Sequence, residues 1–368
     1  MGPVDVRQEQ RVETGTASNP IPPEAVFMTF TVPDLSVPFP ERQNPHVDEA
    51  EVHVREYLRE FGLLRSEEAK FHYDRTRFGE LVARAYPFAP LEELCVITDW
   101  MAVWAIFDDY LERIPDAQDD ERFVALIHET VSWFPLTPPG AVARSGNPIE
   151  LAIRDIWDRL TARSSLTWRR RFVRHLTDYL EGCHWESHNR RRGIAPDLPT
   201  YIRTRRRFGG MRPSMDLSEI GLGIELTDDV HAHPRIQQLL DNTADLVLWA
   251  NDVFSVEAEK REGNVNNIVL VVQRTRGGSM REAADEVAAM LRGRCADFVA
   301  ASRSAVAFFA SSGGYTAEQA HQVSRYIAAM ESWVRGNIDW SRGNERYRSE
   351  HLRTGEDQPN FLERAGQP

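Results

Sequence analysis

The chain has 368 residues, of which 42% are hydrophobic and 10% aromatic, and it carries a formal net charge of −12. This composition is typical of a globular protein and excludes a largely disordered one, and the negative charge argues against a nucleic-acid-binding function. The sequence contains neither an apolar run long enough to cross a membrane nor a basic-then-apolar signal segment, so we expect a cytoplasmic protein without membrane insertion.

The predicted elements are helices that follow a polar N-terminal segment. Residues 1–28 are polar and aperiodic and are predicted to be disordered, and the prolines in 32–40 predict an extended segment. Apolar periodicity then predicts helices at 48–61, 75–86, 91–112, 120–134, 148–162, 167–190, 199–207, 213–222, 234–262, 266–274, 280–309 and 316–342. Because no convincing run of alternating strands lies between them, the predicted fold class is all-α.

The predicted helix 91–112 ends in the acidic string Asp108-Asp109-Tyr110-Leu111-Glu112. This helix is apolar nearly all round, so its end brings charge to the rim of a buried region. Asp108 and Glu112 share a face because they lie four residues apart. On its own, this string also fits a solvated last turn, although acidic side chains at a helix C-terminus are opposed by the helix dipole.

A second polar string lies about 140 residues further along, within the predicted helix 234–262. Asn251, Ser255 and Glu259 are spaced by four residues and form one line of oxygen ligands on the helix. Asn and Ser are mediocre helix formers, so their place in mid-helix favours a functional role over a chance polar stripe. Together, the two strings predict a magnesium site that holds a phosphorylated ligand.

A competing motif is the pair His184 and His188, whose imidazoles lie four residues apart and could bind zinc. The order of residues is not that of a helical metalloprotease motif, and no third ligand is evident. We therefore interpret these histidines as structural or surface residues.

In these two strings the chain resembles the bacterial class I terpene synthases, with their aspartate-rich motif and their Asn/Ser/Glu triad. The resemblance extends to Arg346-Tyr347, which follow the triad at about the family's interval, and to Arg205, which lies 46 positions before Asn251 where the family has its diphosphate-sensing arginine. Gly209, four residues after Arg205, occupies the family's helix break. The similarity covers residues 29–350, which implies a single-domain helical bundle around an apolar cavity, followed by a tail at 351–368.

The resemblance implies the chemistry as well as the fold. It implies three Mg²⁺ ions, with Asp108 as the main ligand of the acidic motif and the triad as the second binding element. Asp109 and Glu112 are further candidate ligands, although for Asp109 the orientation of an arginine is the favoured role. It implies that Arg205, Arg346 and Tyr347 bind the diphosphate of a linear prenyl diphosphate. Trp104 and Trp333 are candidates to line the apolar cavity and to stabilise a carbocation.

The expected reaction is ionisation and cyclisation to a terpene hydrocarbon or alcohol, with farnesyl diphosphate favoured over geranylgeranyl diphosphate. A chain-elongating prenyltransferase on the same fold and a non-catalytic helical binding protein stay open as alternatives. The oligomeric state is also open, and a homodimer is the candidate that the resemblance implies, because members of the family are often dimers.

Three positions depart from the family pattern. The acidic motif ends in Glu112 where Asp is commoner, Ala258 stands where many relatives carry Lys or Arg, and Phe208 stands where a polar residue often links the sensor to the helix break.

Overall fold

A computed structural model describes residues 31–65, 67–112, 120–137 and 146–343. The segments predicted at 1–28 and 351–368 lie outside these ranges. The described residues form only helices, turns and irregular segments, which confirms the predicted all-α class. The helices are α1 (Val47–Glu60), α2 (Glu67–Thr76), α3 (Phe78–Ala85), α4 (Leu91–Glu112), α5 (Asp120–Val131), α6 (Pro148–Thr161), α7 (Leu166–Arg192), α8 (Leu198–Phe208), α9 (Met211–Leu222), α10 (Asp228–His231), α11 (Pro234–Arg261), α12 (Ile268–Arg276), α13 (Met280–Ser311) and α14 (Ala317–Gly343).

Capping side chains explain why many of these helices begin where they do. Asp197 accepts a hydrogen bond from Thr200 N at the start of α8, and Ser279 forms a capping box with Glu282 at the start of α13. Such side chains satisfy backbone donors that the first helical turn leaves without partners.

The prediction of one continuous helix at 75–86 is wrong. The chain breaks at Arg77, which adopts a left-handed conformation with φ of 49°, so that α2 ends at Thr76 and α3 begins at Phe78. The indole Nε1 of Trp340 donates to the carbonyl oxygens of Thr76 and Arg77, at 2.9 and 3.1 Å. A partner 263 residues away thus supports the break, which is why local periodicity does not reveal it.

The centre of the bundle is formed by α4, α9 and α11. α4 packs against α1, α3, α6 and α9, and α11 packs against α8, α9, α12, α13 and α14. Every residue of α9 is buried except Arg212. Among the described residues, none of the helices combines the length and apolar character needed to span a lipid bilayer.

A two-residue break, Gly209-Gly210, separates α8 from α9. Gly209 N still donates to Arg205 O at 3.1 Å, whereas Gly210 has a φ of 69° that favours glycine. A Cβ atom on Gly209 would lie 2.4 Å from both terminal methyl carbons of Leu248 on α11. The break is therefore packed directly against the helix that carries the predicted triad.

Candidate active site

A cavity of about 270 Å³ lies among α3, α4, α7, α8, α9, α11 and α14. Most of its wall is apolar and aromatic, with large rings from Phe78, Trp100, Trp104, Trp333 and Trp340. The polar side chains of the wall include those of Asp108, Tyr179, Arg205 and Asn251. The structure thus brings residues from both predicted strings, and the predicted sensor arginine, to one cavity.

Asp108 is held at this wall by a neighbouring tyrosine. The Tyr179 hydroxyl on α7 donates a hydrogen bond to Asp108 Oδ1. Burial raises the pKa of Tyr179, and the Asp108 carboxylate adds to this effect, so the phenol keeps its proton. Trp104 lies one turn before Asp108 and stacks on Trp100, with ring centroids 4.9 Å apart.

The three members of the triad follow one another along α11. Asn251 lines the cavity, and Ser255 and Glu259 continue from it along α11 without lining the cavity themselves. Ser255 Oγ lies 2.6 Å from Glu259 Oε1, and Asn251 Oδ1 accepts a hydrogen bond from Arg205 Nη2 at 3.2 Å. The helical spacing therefore produces the predicted line of oxygen atoms.

This set of donors fits a divalent cation. An amide oxygen, a hydroxyl and a carboxylate are hard ligands of the kind that Mg²⁺ prefers. Burial raises the pKa of Glu259, and the nearby Asp252 carboxylate adds to this effect, whereas Ser255, Arg205 and Asn267 act in the opposite direction. A bound cation would offset this desolvation and stabilise the charged form of the Glu259 carboxylate.

Asp252 is a residue whose importance the sequence did not reveal. It is completely buried, and its Oδ1 accepts hydrogen bonds from Arg205 Nε and Nη2, at 3.1 and 2.8 Å. Its Oδ2 accepts from the Tyr201 hydroxyl and from Ile268 N, the latter at 3.0 Å. Asp252 thus orients the predicted sensor and ties α11 to α8 and α12. The sequence signal that could have identified it is its position directly after Asn251, the first residue of the triad.

Asn267 was also missed, although it directly precedes the apolar start of α12. Its Oδ1 caps that helix by accepting from Val269 N at 2.9 Å. Its Nδ2 donates to Asp252 O at 2.8 Å and to Glu259 Oε2 at 3.1 Å. The Asn267 amide therefore orients the Glu259 carboxylate, and the preference for Asn before an apolar helix start was the signal that could have identified it.

Of the other predicted site residues, four lie wholly or partly outside the part of the chain that the structure describes, and Trp333 lies on the cavity wall. Asp109 and Glu112 lie in the last turn of α4, but their side chains are outside the described part of the chain, as are Arg346 and Tyr347 entirely. Trp333 lies on the cavity wall, and its ring centroid is 5.4 Å from that of Tyr86.

The described residues contain one cluster of three potential metal ligands within 4.8 Å, formed by Asp216, Glu219 and His231 and not by the histidine pair of α7. The Arg171 guanidinium donates to both carboxylates of this cluster, at 3.1 and 2.6 Å. Because the positive charge of Arg171 already balances these two carboxylates, we interpret the cluster as a structural network of ion pairs and not as a metal site. His184 instead stacks on Phe123, with ring centroids 4.9 Å apart.

Comparison with known proteins decides the family. Residues 99–297, more than half of the chain, match the model of terpene synthase family 2, C-terminal metal binding. The chain belongs to terpene synthase family 2. The germacrene A synthase of Nostoc punctiforme is 30% identical over 323 residues, which cover 86% of this chain and 94% of that protein. The (+)-T-muurolol synthase of Roseiflexus castenholzii is 31% identical, with coverages of 86% and 94%.

Solved structures agree with this assignment. The crystal structure of an α-eudesmol synthase superposes with a TM-score of 0.76 at 27% identity, covering 84% of this chain and 99% of that one. The predicted class I terpene synthase fold and terpene cyclase activity are thereby confirmed, and the family's metal-binding region implies a divalent metal.

Proposed function

We propose that this terpene synthase ionises farnesyl diphosphate with Mg²⁺ and cyclises the resulting cation to a sesquiterpene hydrocarbon or alcohol. The observation that carries the proposal is that Asp108, Arg205 and Asn251 line the same cavity as the aromatic wall. Relatives support the substrate, since the (+)-T-muurolol synthase is described as cyclising (2E,6E)-farnesyl diphosphate.

In this proposal, Asp108 holds metal on the α4 side, and Asn251, Ser255 and Glu259 hold it on the α11 side. Bound Mg²⁺, with three ions expected, would supply the positive charge that stabilises the leaving diphosphate. Asp109 and Glu112 are further candidate ligands from the acidic motif.

Arg205 would bind the diphosphate through charge-assisted hydrogen bonds. It lies against Asp252 and Asn251 and over the ring of Phe208, so its guanidinium is oriented before the substrate arrives. Arg346 and Tyr347 would complete the diphosphate-binding end of the cavity. Gly209 would form the break between α8 and α9 that faces the substrate.

The aromatic wall would do two things for the hydrocarbon part of the substrate. Its rings exclude water, which would otherwise quench the cation early, and the faces of Trp104 and Trp333 would attract the passing positive charge.

We also propose that residues 29–350 form one catalytic domain, with separate terminal segments at 1–28 and 351–368. A cytoplasmic location and a homodimer remain predictions from the sequence.

The test of substrate class is to incubate the purified protein with Mg²⁺ and either farnesyl or geranylgeranyl diphosphate. We expect a cyclic C15 product and release of diphosphate from farnesyl diphosphate. Exclusive formation of a C20 product would overturn the substrate assignment, and consumption of isopentenyl diphosphate with accumulation of longer diphosphates would identify a prenyltransferase instead.

A further inference from the structure

The break between α8 and α9 is bridged by two arginines that share one carboxylate. Arg206 lies in the last turn of α8 and Arg212 in the first turn of α9, on opposite sides of Gly209-Gly210. Arg206 Nη1 donates to Asp241 Oδ2 at 2.7 Å, and Arg212 Nη2 donates to Asp241 Oδ1 at 2.5 Å. We call Arg206, Asp241 and Arg212 the clasp.

Each arm of the clasp has a further anchor on α11. Arg206 also makes a two-pronged contact with the completely buried Asp245, with both nitrogen-to-oxygen distances at 2.7 Å. Arg212 also donates to Gln237 Oε1 at 2.8 Å. The three acceptors are spaced by four residues and therefore form one row on α11.

The two arginines differ in how much they need Asp241. Arg206 is a cation at a helix C-terminus, where the helix dipole stabilises it. Arg212 is a cation at a helix N-terminus, where the dipole opposes it, and it is the single residue of α9 that is not buried. Its contact with Asp241 therefore offsets a local electrostatic cost and fixes the entrance to α9.

The clasp lies directly behind the cavity wall. Phe208, Gly209, Gly210 and Met211 all line the cavity, and Gly209 packs against Leu248. The neighbouring residue in sequence, Arg205, is anchored at Asp252, which lies seven residues or about 10 Å further along α11 than Asp245. Consecutive arginines thus hold the end of α8 to α11 at two separate points.

We propose that Asp241 is a positioning residue for the cyclisation. By holding Arg206 and Arg212 together, it sets the angle and separation of α8 and α9, and so the place of the Gly209-Gly210 backbone in the cavity wall. Loss of the Asp241 carboxylate leaves Arg212 with the neutral acceptor Gln237 in place of an ion pair, which loosens the break and alters the shape of the cavity. The two-pronged contact of Arg206 with Asp245 keeps α8 attached.

The test compares Asp241→Asn with Asp178→Asn. Asp178 accepts from Arg207 Nε at 2.7 Å on the α7 side of the same helix end, so this control removes an equivalent ion pair that does not bridge the break. Hydrogen exchange is measured first, because it requires no substrate, at Gly209 and Ser214, whose amides donate across the break to Arg205 O and Gly210 O at 3.1 and 3.2 Å. Asp241→Asn should accelerate exchange there by about tenfold or more, and Asp178→Asn should leave it unchanged.

The second readout, which rests on the proposed function, is the product profile with farnesyl diphosphate. Asp241→Asn should raise the proportion of acyclic and early-quenched products and lower kcat by about tenfold, with little change in KM. Asp241→Glu should restore part of the wild-type profile. An inactive wild type would refute the proposed function. The hydrogen-exchange comparison would still test the role of Asp241, because it does not depend on activity.

Arg212→Gln removes the Arg212 contacts of the clasp and leaves those of Arg206 in place. It replaces Asp241→Asn in the test if that variant does not fold. It should reproduce the exchange and product changes of Asp241→Asn, and the double variant should add little to either. Wild-type exchange and products in Asp241→Asn, equal changes in Asp178→Asn, or full additivity in the double variant would each overturn the proposal.

Discussion

Replacement of Asp252 by Asn tests whether this buried carboxylate orients the diphosphate-binding arginine. The change conserves volume but removes a charge that Arg205 contacts through two nitrogens. It also creates a mismatch in either orientation of the new amide. One carboxylate oxygen accepts from Arg205 and the other from Tyr201 and Ile268, so the NH₂ group must face a donor.

The magnitude follows from burial. The side chains of Arg205 and Asp252 are 12% and 1% exposed, and loss of one partner from such a pair costs about 3–5 kcal/mol. Because Asn251 still accepts from Arg205, we expect the lower end, about 3 kcal/mol. For a chain of 368 residues this corresponds to a fall in Tm of about 4 °C.

The assay is thermal unfolding at a fixed scan rate, followed by diphosphate release with the prenyl substrate. We expect kcat to fall about 100-fold, since Arg205 loses its orientation. Asp285→Asn is the control, because Asp285 forms an exposed pair with Arg281 and its loss should change stability by less than about 0.5 kcal/mol. Wild-type Tm and kcat in Asp252→Asn would refute the reasoning.

Three further predictions concern other parts of the site and the core. Gly209→Ala should destabilise the protein by about 1–3 kcal/mol, because its Cβ must displace Leu248. Asn267→Asp should keep the helix cap but repel Glu259, weakening Mn²⁺ binding, followed by EPR, by about 10–100-fold. Burial lowers the pKa of His231 to about 3, so the unfolded chain takes up a proton below about pH 6.5 that the folded protein does not. His231→Gln should therefore reduce the loss of stability on acidification by up to about 1.4 kcal/mol per pH unit below that value.

Each of these three variants has a matched control. Gly293→Ala places a Cβ in open space on α13 and should not destabilise. Asn147→Asp changes the helix cap of α6 in the same way without affecting Mn²⁺ binding. His128→Gln replaces an exposed imidazole and should leave the acid slope as it is. Equal effects in variant and control would contradict the corresponding prediction.

The residues that sequence predicted best are those governed by local geometry. The spacing of Asn251, Ser255 and Glu259 follows from the helical period, and α4 has the predicted bounds, 91–112, because its apolar character is continuous. Asp252 directly follows Asn251, but its role in orienting the sensor depends on contacts with Arg205 and Tyr201, 47 and 51 residues away.

Long-range packing explains the remaining differences. The helix break at Arg77 depends on Trp340, which lies 263 residues away in the sequence. The clasp depends on Asp241, which lies 35 and 29 residues from Arg206 and Arg212. In the run Arg205-Arg206-Arg207, the three side chains reach the cavity, α11 and α7 respectively, a division that the run itself does not encode.

The most direct test of the central claim compares the wild type with Asn251→Ala, each incubated with farnesyl diphosphate and Mg²⁺. Inorganic diphosphate is quantified, the organic products are extracted for gas chromatography with mass spectrometry, and circular dichroism confirms that both proteins are equally helical. We predict equimolar diphosphate and cyclic sesquiterpene from the wild type and neither from Asn251→Ala. Full activity in Asn251→Ala, or no turnover in a folded wild type, would contradict the account.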